Sequence, residues 1–138
     1  IFSDLGDEMT FFKPNNENKA SNKVKKIFND IKKVRKIKSI PNFWRTIAND
    51  PETLERTWYS LKQVMKKGAL DPIFKEMIYI AVSMTNNCEY CIRSHTAAAK
   101  KKGMSDKMLK ELISVVGMAN ETNTLVNSYK VELDDFLK

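Results

Sequence analysis

Both cysteines and the single histidine of the 138-residue chain fall in one stretch, Asn86-Asn87-Cys88-Glu89-Tyr90-Cys91-Ile92-Arg93-Ser94-His95. At roughly 100° per residue, Cys88, Cys91 and His95 share about a 60° sector of one helix face. Asn86 or Asn87 suits an N-cap, which would put Cys88 in the first turn, where unpaired backbone N–H groups and the helix dipole favour a thiolate over a thiol. The i,i+3 spacing lets the second thiol reach the first, as closing and reopening a disulfide requires. The chemistry within reach is therefore thiol redox.

Two other uses of the same residues compete with it. Buried cysteines often serve as small hydrophobes, but the only two of a chain set in a CxxC one turn before its only histidine make an uncommon inert pair. Zinc could take Cys88, Cys91 and His95 as three ligands. A structural site closes with a fourth Cys or His, however, and none is left, so a carboxylate or water would have to complete it.

The elements that position this stretch read as helices. Leu70-Asp71-Pro72 is a start signal, a capping residue followed by Pro at the first helical position. Ile73, Met77, Ile80, Ala81 and Met84 then form an apolar face, with Glu76 on its border about 60° from the centre. A short turn near Thr85 would fold this helix face to face with the cysteine helix. Burial there would raise the Glu76 pKa and suit it to proton transfer. The cysteine helix itself should run from Cys88 to about Lys102, with Ala97, Ala98 and Ala99 allowing close packing and Gly103 as its C-cap. Lys100, Lys101 and Lys102 complement its negative end.

Upstream, Ile1 to Ser21 is polar and broken by Pro14 and Asn15-Asn16, the pattern of a loose arm. Lys23 to Lys38 places Val24, Ile27, Phe28, Ile31 and Val34 at helical spacing with lysines elsewhere, an amphipathic helix with a basic outer face. Ile40-Pro41-Asn42 breaks it, and Phe43 to Ala48 makes a short turn of helix. Asp50-Pro51-Glu52 starts another, through Leu54, Trp58, Leu61, Val64 and Met65 to about Lys67 and Gly68; Trp44 and Trp58 suit a core or a pocket wall. Downstream, Ser105 caps a helix through Met108, Leu109, Leu112, Ile113 and Val116. A last helical segment carries Leu125, Tyr129, Leu133 and Phe136.

Few turn formers, four Gly and four Pro, with 42% hydrophobic and 30% charged residues, predict an all-α globular domain. No linker marks a boundary, so one domain over 1–138 is expected: an arm at 1–22, the basic helix 23–38, a core at 40–120 and a C-terminal helix at 121–138. The net charge of +7 resides largely in the basic helix. No groove-reading motif or interleaved aromatic accompanies those lysines, so a solvated face rather than nucleic-acid binding is expected. No apolar run reaches the ~20 residues that span a bilayer, and Ile1 to Phe12 lacks the pattern of a signal peptide, which predicts a cytoplasmic protein with no membrane partner. In a reducing compartment a lone CxxC is more often catalytic than structural.

Glu76, Cys88, Cys91 and His95 together resemble the E-x11-CxxC-x3-H signature of the AhpD-like alkylhydroperoxidases in the carboxymuconolactone decarboxylase superfamily. Ile40-Pro41-Asn42, Asp50-Pro51, Leu70-Asp71-Pro72, Lys75-Glu76, Ala81-Val82-Ser83 and Gly103-Met104-Ser105 extend the likeness over roughly residues 40–120. The resemblance implies an all-α bundle of about six to seven helices and a homo-oligomer, a trimer or hexamer. It also implies that Cys91 attacks peroxide, that Cys88 resolves the sulfenic acid, and that Glu76 and His95 relay the proton. First-turn electrostatics alone nominate Cys88 as the more acidic thiol, so the two arguments differ on order. Tyr90 stands where well-known members carry a histidine before the second cysteine. It is a poor base near neutral pH, although its hydroxyl could order a water or line the pocket.

The expectation is a thiol-dependent peroxidase that needs no organic or metal cofactor, with a hydroperoxide as substrate and a lipoyl or thioredoxin-like dithiol as reductant. A disulfide reductase or redox partner protein would use the same pair without meeting peroxide. Lactone decarboxylation, the superfamily's other chemistry, does not use a CxxC. A metal-holding or binding module is the remaining class.

Overall fold

The computed structural model describes residues 11–138. Its described residues form six α-helices and no strand: α1 Asn22–Arg35, α2 Asn42–Ile47, α3 Pro51–Met65, α4 Pro72–Thr85, α5 Glu89–Lys101 and α6 Asp106–Tyr129, with a closing 3-10 turn at Asp135–Leu137. The all-α fold is the one composition and periodicity predict. None of these helices is long and apolar enough to cross a membrane. The chain divides into two compact units, residues 1–64 and 65–138.

In the first unit the apolar stripes of α1 to α3 meet in one core of Val24, Ile27, Phe28, Ile31, Ile40, Trp44, Ala48, Leu54 and Trp58. Trp44 and Trp58 pack edge to face with ring centroids 5.3 Å apart, a favoured aromatic geometry. Burying an indole requires a partner for its N–H, and Trp58 Nε1 donates to Asp30 Oδ2 at 2.7 Å, an oxygen that Lys62 also meets at 2.8 Å. Those contacts hold the Asp30 carboxyl below its ordinary range, the Lys62 hydrogen bond first and the Trp58 one next. The tryptophans are core residues.

Three expectations in this unit are corrected. α1 stops at Arg35 rather than Lys38, because Lys36 turns left-handed and Ile37 N–H closes back on the Lys32 carbonyl; Val34 is left exposed. α3 ends at Met65, short of Lys67. The arm is not loose where it is described: Asn15 exchanges two hydrogen bonds with Arg45, Asn49 reaches the Lys13 carbonyl, and Glu17 accepts from Ile40 N–H while pairing with Lys32. The remainder of the arm, residues 1–10, lies outside the described residues. Part of the basic face of α1 is spent on such pairs, since Lys23 meets Glu52 and Glu55.

In the second unit α4 packs against α5 and α6 around Ile80, Ala99 and Met104, with Ile73, Met77, Met84, Met108, Leu109 and Leu112 closing over them. Asp71 caps α4 with Pro72 following it, and the Ser105 hydroxyl caps α6, as their sequences predict. Ala99 is fully buried, the small residue that lets α5 approach α4. In place of a separate segment over 121–138, α6 runs unbroken to Tyr129. The polar run inside it is accommodated because Thr122 and Thr124 turn their hydroxyls back onto carbonyls one turn earlier. Leu133 lies beyond that helix, and Phe136 belongs to the short 3-10 turn.

Candidate active site

The turn between α4 and α5 sets the site. Asn86 caps the end of α4 and Asn87 adopts a left-handed φ of 56°, a conformation Asn tolerates better than most residues. Cys88 N–H then bonds to the Ser83 carbonyl and Asn87 N–H to the Met84 carbonyl, the crossed pair of a Schellman ending. Cys88 at once begins α5: its carbonyl accepts from Ile92 N–H, and its sulfur accepts from Cys91 N–H at 3.4 Å. Its backbone is thus held by both helices. The N-cap is Cys88 itself rather than Asn86 or Asn87, because those two are consumed in ending α4.

Cys91 sits in the first turn of α5, and its sulfur is joined to that of Cys88, the Cα atoms 5.4 Å apart. One turn further, His95 is buried and stacks on Tyr79 of α4, with centroids 3.7 Å apart. Its Nδ1 lies 2.6 Å from Glu76 Oε2. The other carboxylate oxygen, Oε1, accepts from Lys102 Nζ at 2.9 Å. Glu76 is only 5% exposed, so a charge there needs partners, and it has two. Among the described residues, no group of three or more His, Cys, Asp or Glu side chains could hold a metal ion.

Burial alone pushes the Glu76 carboxyl up, as expected from sequence, but the net direction is the opposite. Hydrogen bonds from His95 and then Lys102, with the charge of each, outweigh desolvation and hold it below the ordinary glutamate range. Glu76 is therefore a carboxylate near neutral pH. It must accept at both oxygens, which makes His95 the donor at Nδ1; in the neutral ring Nε2 is then the acceptor.

The structure joins Glu76 of α4 to His95 of α5, and Cys88 to Cys91 at the start of α5, one turn before that histidine. Tyr90, at the second position of α5, is 47% exposed and stands outside the buried Glu76–His95 pair. Two further residues, Lys102 and Tyr79, touch the Glu76–His95 pair. Lys102, whose charge the sequence explains as complementing the helix dipole, lies seven residues from His95 and so on the same face. Tyr79 follows Glu76 by three residues, a spacing that shares its face. Ser83, seven residues from Glu76, is buried with its hydroxyl on the Tyr79 carbonyl at 2.7 Å.

Comparison with known proteins agrees with this fold. The profile of the carboxymuconolactone decarboxylase family matches residues 51–131. The crystal structure of the alkylhydroperoxidase AhpD core from Rhodospirillum rubrum is 42% identical, with a TM-score of 0.89 over 94% of this chain and 98% of that one. Uncharacterized protein 4 in cox locus of Paracoccus denitrificans is 35% identical over 54 residues, 39% of this chain and 49% of that protein. The chain thus spans about half the length of that curated relative.

Proposed function

Because this chain belongs to the carboxymuconolactone decarboxylase family as an AhpD-like member, we propose that it is a thiol-dependent peroxidase reducing hydroperoxides through the Cys88–Cys91 pair. The observation that carries the reading is the joined sulfur pair at the start of α5, one turn before a buried imidazole already oriented by a carboxylate.

The thiolate of Cys91 attacks the distal oxygen of the hydroperoxide. The O–O bond breaks, leaving an alkoxide that takes a proton to become the alcohol, and Cys91 becomes a sulfenic acid. Cys88 then attacks that sulfur, releasing water and forming the disulfide. An external lipoyl or thioredoxin-like dithiol reduces it by exchange, so that one hydroperoxide and one dithiol give alcohol, water and a disulfide. Cys91 is the attacking thiol in this scheme because it precedes His95 by one helical turn, whereas Cys88 precedes it by two. His95 Nε2 takes the thiol proton and returns it to the leaving oxygen, and Glu76 stabilises the imidazolium. Tyr90, more exposed, lines the approach. Assembly into a symmetric trimer or hexamer and a cytoplasmic setting belong to the same proposal, the former supported by the apolar side chains that α4 exposes.

The test is to count free thiols in the reduced protein before and after one equivalent of hydroperoxide, in the parent and in Cys91→Ser. Loss of two thiols per chain in the parent, absent in the variant, is expected. If the parent keeps both thiols under peroxide yet reduces protein or lipoyl disulfides, the disulfide-reductase role replaces this one.

A further inference from the structure

Lys102 touches the site from the far end of α5. The helix closes in a Schellman ending, with Met104 N–H on the Ala99 carbonyl and Gly103 N–H on that of Lys100, Gly103 adopting the positive φ of 102° that this turn demands. That ending seats Lys102 as the cap and returns its side chain toward α4. Its ammonium reaches Glu76 Oε1 at 2.9 Å while 39% of the side chain stays exposed, against 7% for the glutamate.

We propose that Lys102 is a positioning residue: by occupying Glu76 Oε1 it fixes the carboxylate to receive Nδ1–H from His95, and so keeps the imidazole neutral with a bare Nε2. The argument is one of charge balance in a buried site. With Lys102 present, the lysine, the carboxylate and a neutral imidazole sum to zero. Without it, a buried anion remains, and the nearest remedy is a second proton on His95. An imidazolium cannot accept the thiol proton. An ammonium also has donors and no acceptor, so Oε1 cannot carry a proton while Lys102 holds it.

The other groups around Glu76 do not substitute. The largest charge effects on it come from His95 of α5 and from Lys102, the cap of that helix. Lys75, beside it on α4, sends its ammonium to the Lys66 carbonyl at 2.7 Å. Tyr79 stacks on the imidazole, and α6 contributes Met108, Leu109 and Leu112 to the apolar cluster. Lys100 is paired with Asp106, and the two cysteines are joined to each other.

The kinetic part of this inference rests on the peroxidase reading; the imidazole's state does not. Since the chain has a single histidine, long-range 1H–15N correlation gives one imidazole pattern, to be followed from pH 5 to 8 in the parent, Lys102→Met and Lys102→Arg. The parent is expected to show Nδ1 protonated and Nε2 bare at neutral pH. In Lys102→Met the doubly protonated pattern should persist to higher pH, with peroxide-driven thiol loss about three- to tenfold slower near pH 6 and recovering as pH rises. Lys102→Arg should track the parent. Superimposable spectra and pH profiles in the parent and Lys102→Met overturn the proposal, as does a Lys102→Arg protein that matches Lys102→Met. If no version consumes peroxide, the peroxidase reading fails while the spectra still decide the role of Lys102.

Discussion

His95 Nδ1 lies 2.6 Å from Glu76 Oε2, joining two buried side chains from facing helices. A contact this short, made without solvent, fixes the orientation of the ring. Glu76→Gln keeps the shape but offers a weaker acceptor and leaves Lys102 without its anion. Turnover of hydroperoxide should fall by about 10²- to 10⁴-fold, the usual range for a lost proton-transfer group. Glu76→Asp withdraws the carboxylate by one methylene and should lose activity as well. Rates measured beside far-UV circular dichroism check this; parent-like turnover in Glu76→Gln would remove the glutamate from the mechanism.

Glu76 also makes stability depend on pH. Its folded pKa is depressed below the unfolded value of about 4.3. Its contribution is therefore fully present above that value and is lost as pH falls through the lower folded one. Asp30, held down by Lys62 and Trp58, acts in the same direction in the first unit. Thermal unfolding followed from pH 7 to pH 3 should show the parent losing stability below about pH 4.3, and Glu76→Gln losing less over that interval. Parallel curves for the two would show that the carboxylate adds nothing to the acid limb.

The fold was legible wherever one local rule sufficed. Asp71-Pro72 and Ser105 announced helix starts, and the stripes through Ile27 and Ile31, or Leu54 and Trp58, announced the first core. The sequence reading failed where one residue serves two elements. Cys88 ends α4 and begins α5, so Asn87, which looks like a cap, is instead the left-handed residue of the preceding ending. Helix ends set by a left-handed lysine, as at Lys36, carry no glycine signal at all. In the site, Glu76 and His95 could be nominated from spacing, but the sign of the Glu76 shift could not. That sign depends on Lys102, and no pattern tells a lysine that complements a helix dipole from one that folds back onto a buried carboxylate.

Asn87 gives a test of the turn that aims the cysteines. At its φ of 56° a β-branched side chain meets its own backbone, whereas glycine does not. Asn87→Val should destabilise the protein by about 1–2 kcal/mol. It should also slow disulfide closure, since the Cys88 N–H bond to Ser83 depends on that conformation. Asn87→Gly should stay close to the parent, since glycine adopts this conformation without strain. Urea denaturation compares the three, and a Val variant as stable as the Gly one would mean that the turn relaxes freely.

The proposed assembly can be tested on α4. Phe74, Ile78 and Val82 recur every fourth residue and are 52%, 51% and 53% exposed, an apolar row across the helix from the face that buries Glu76, Ile80 and Ser83. Each such side chain, fully covered by a second copy, would contribute roughly 1.5–3 kcal/mol, enough in combination to hold subunits together. A carboxylate in the middle of that row would have to be desolvated without a partner. Ile78→Glu should therefore weaken association by at least about 100-fold, while leaving the Glu76–His95 pair on the opposite side of the helix in place. Sedimentation equilibrium on the parent and the variant at matched concentrations reads the difference directly. A parent that sediments as a single chain, or a variant that assembles as tightly, would show that this row is not a contact between copies.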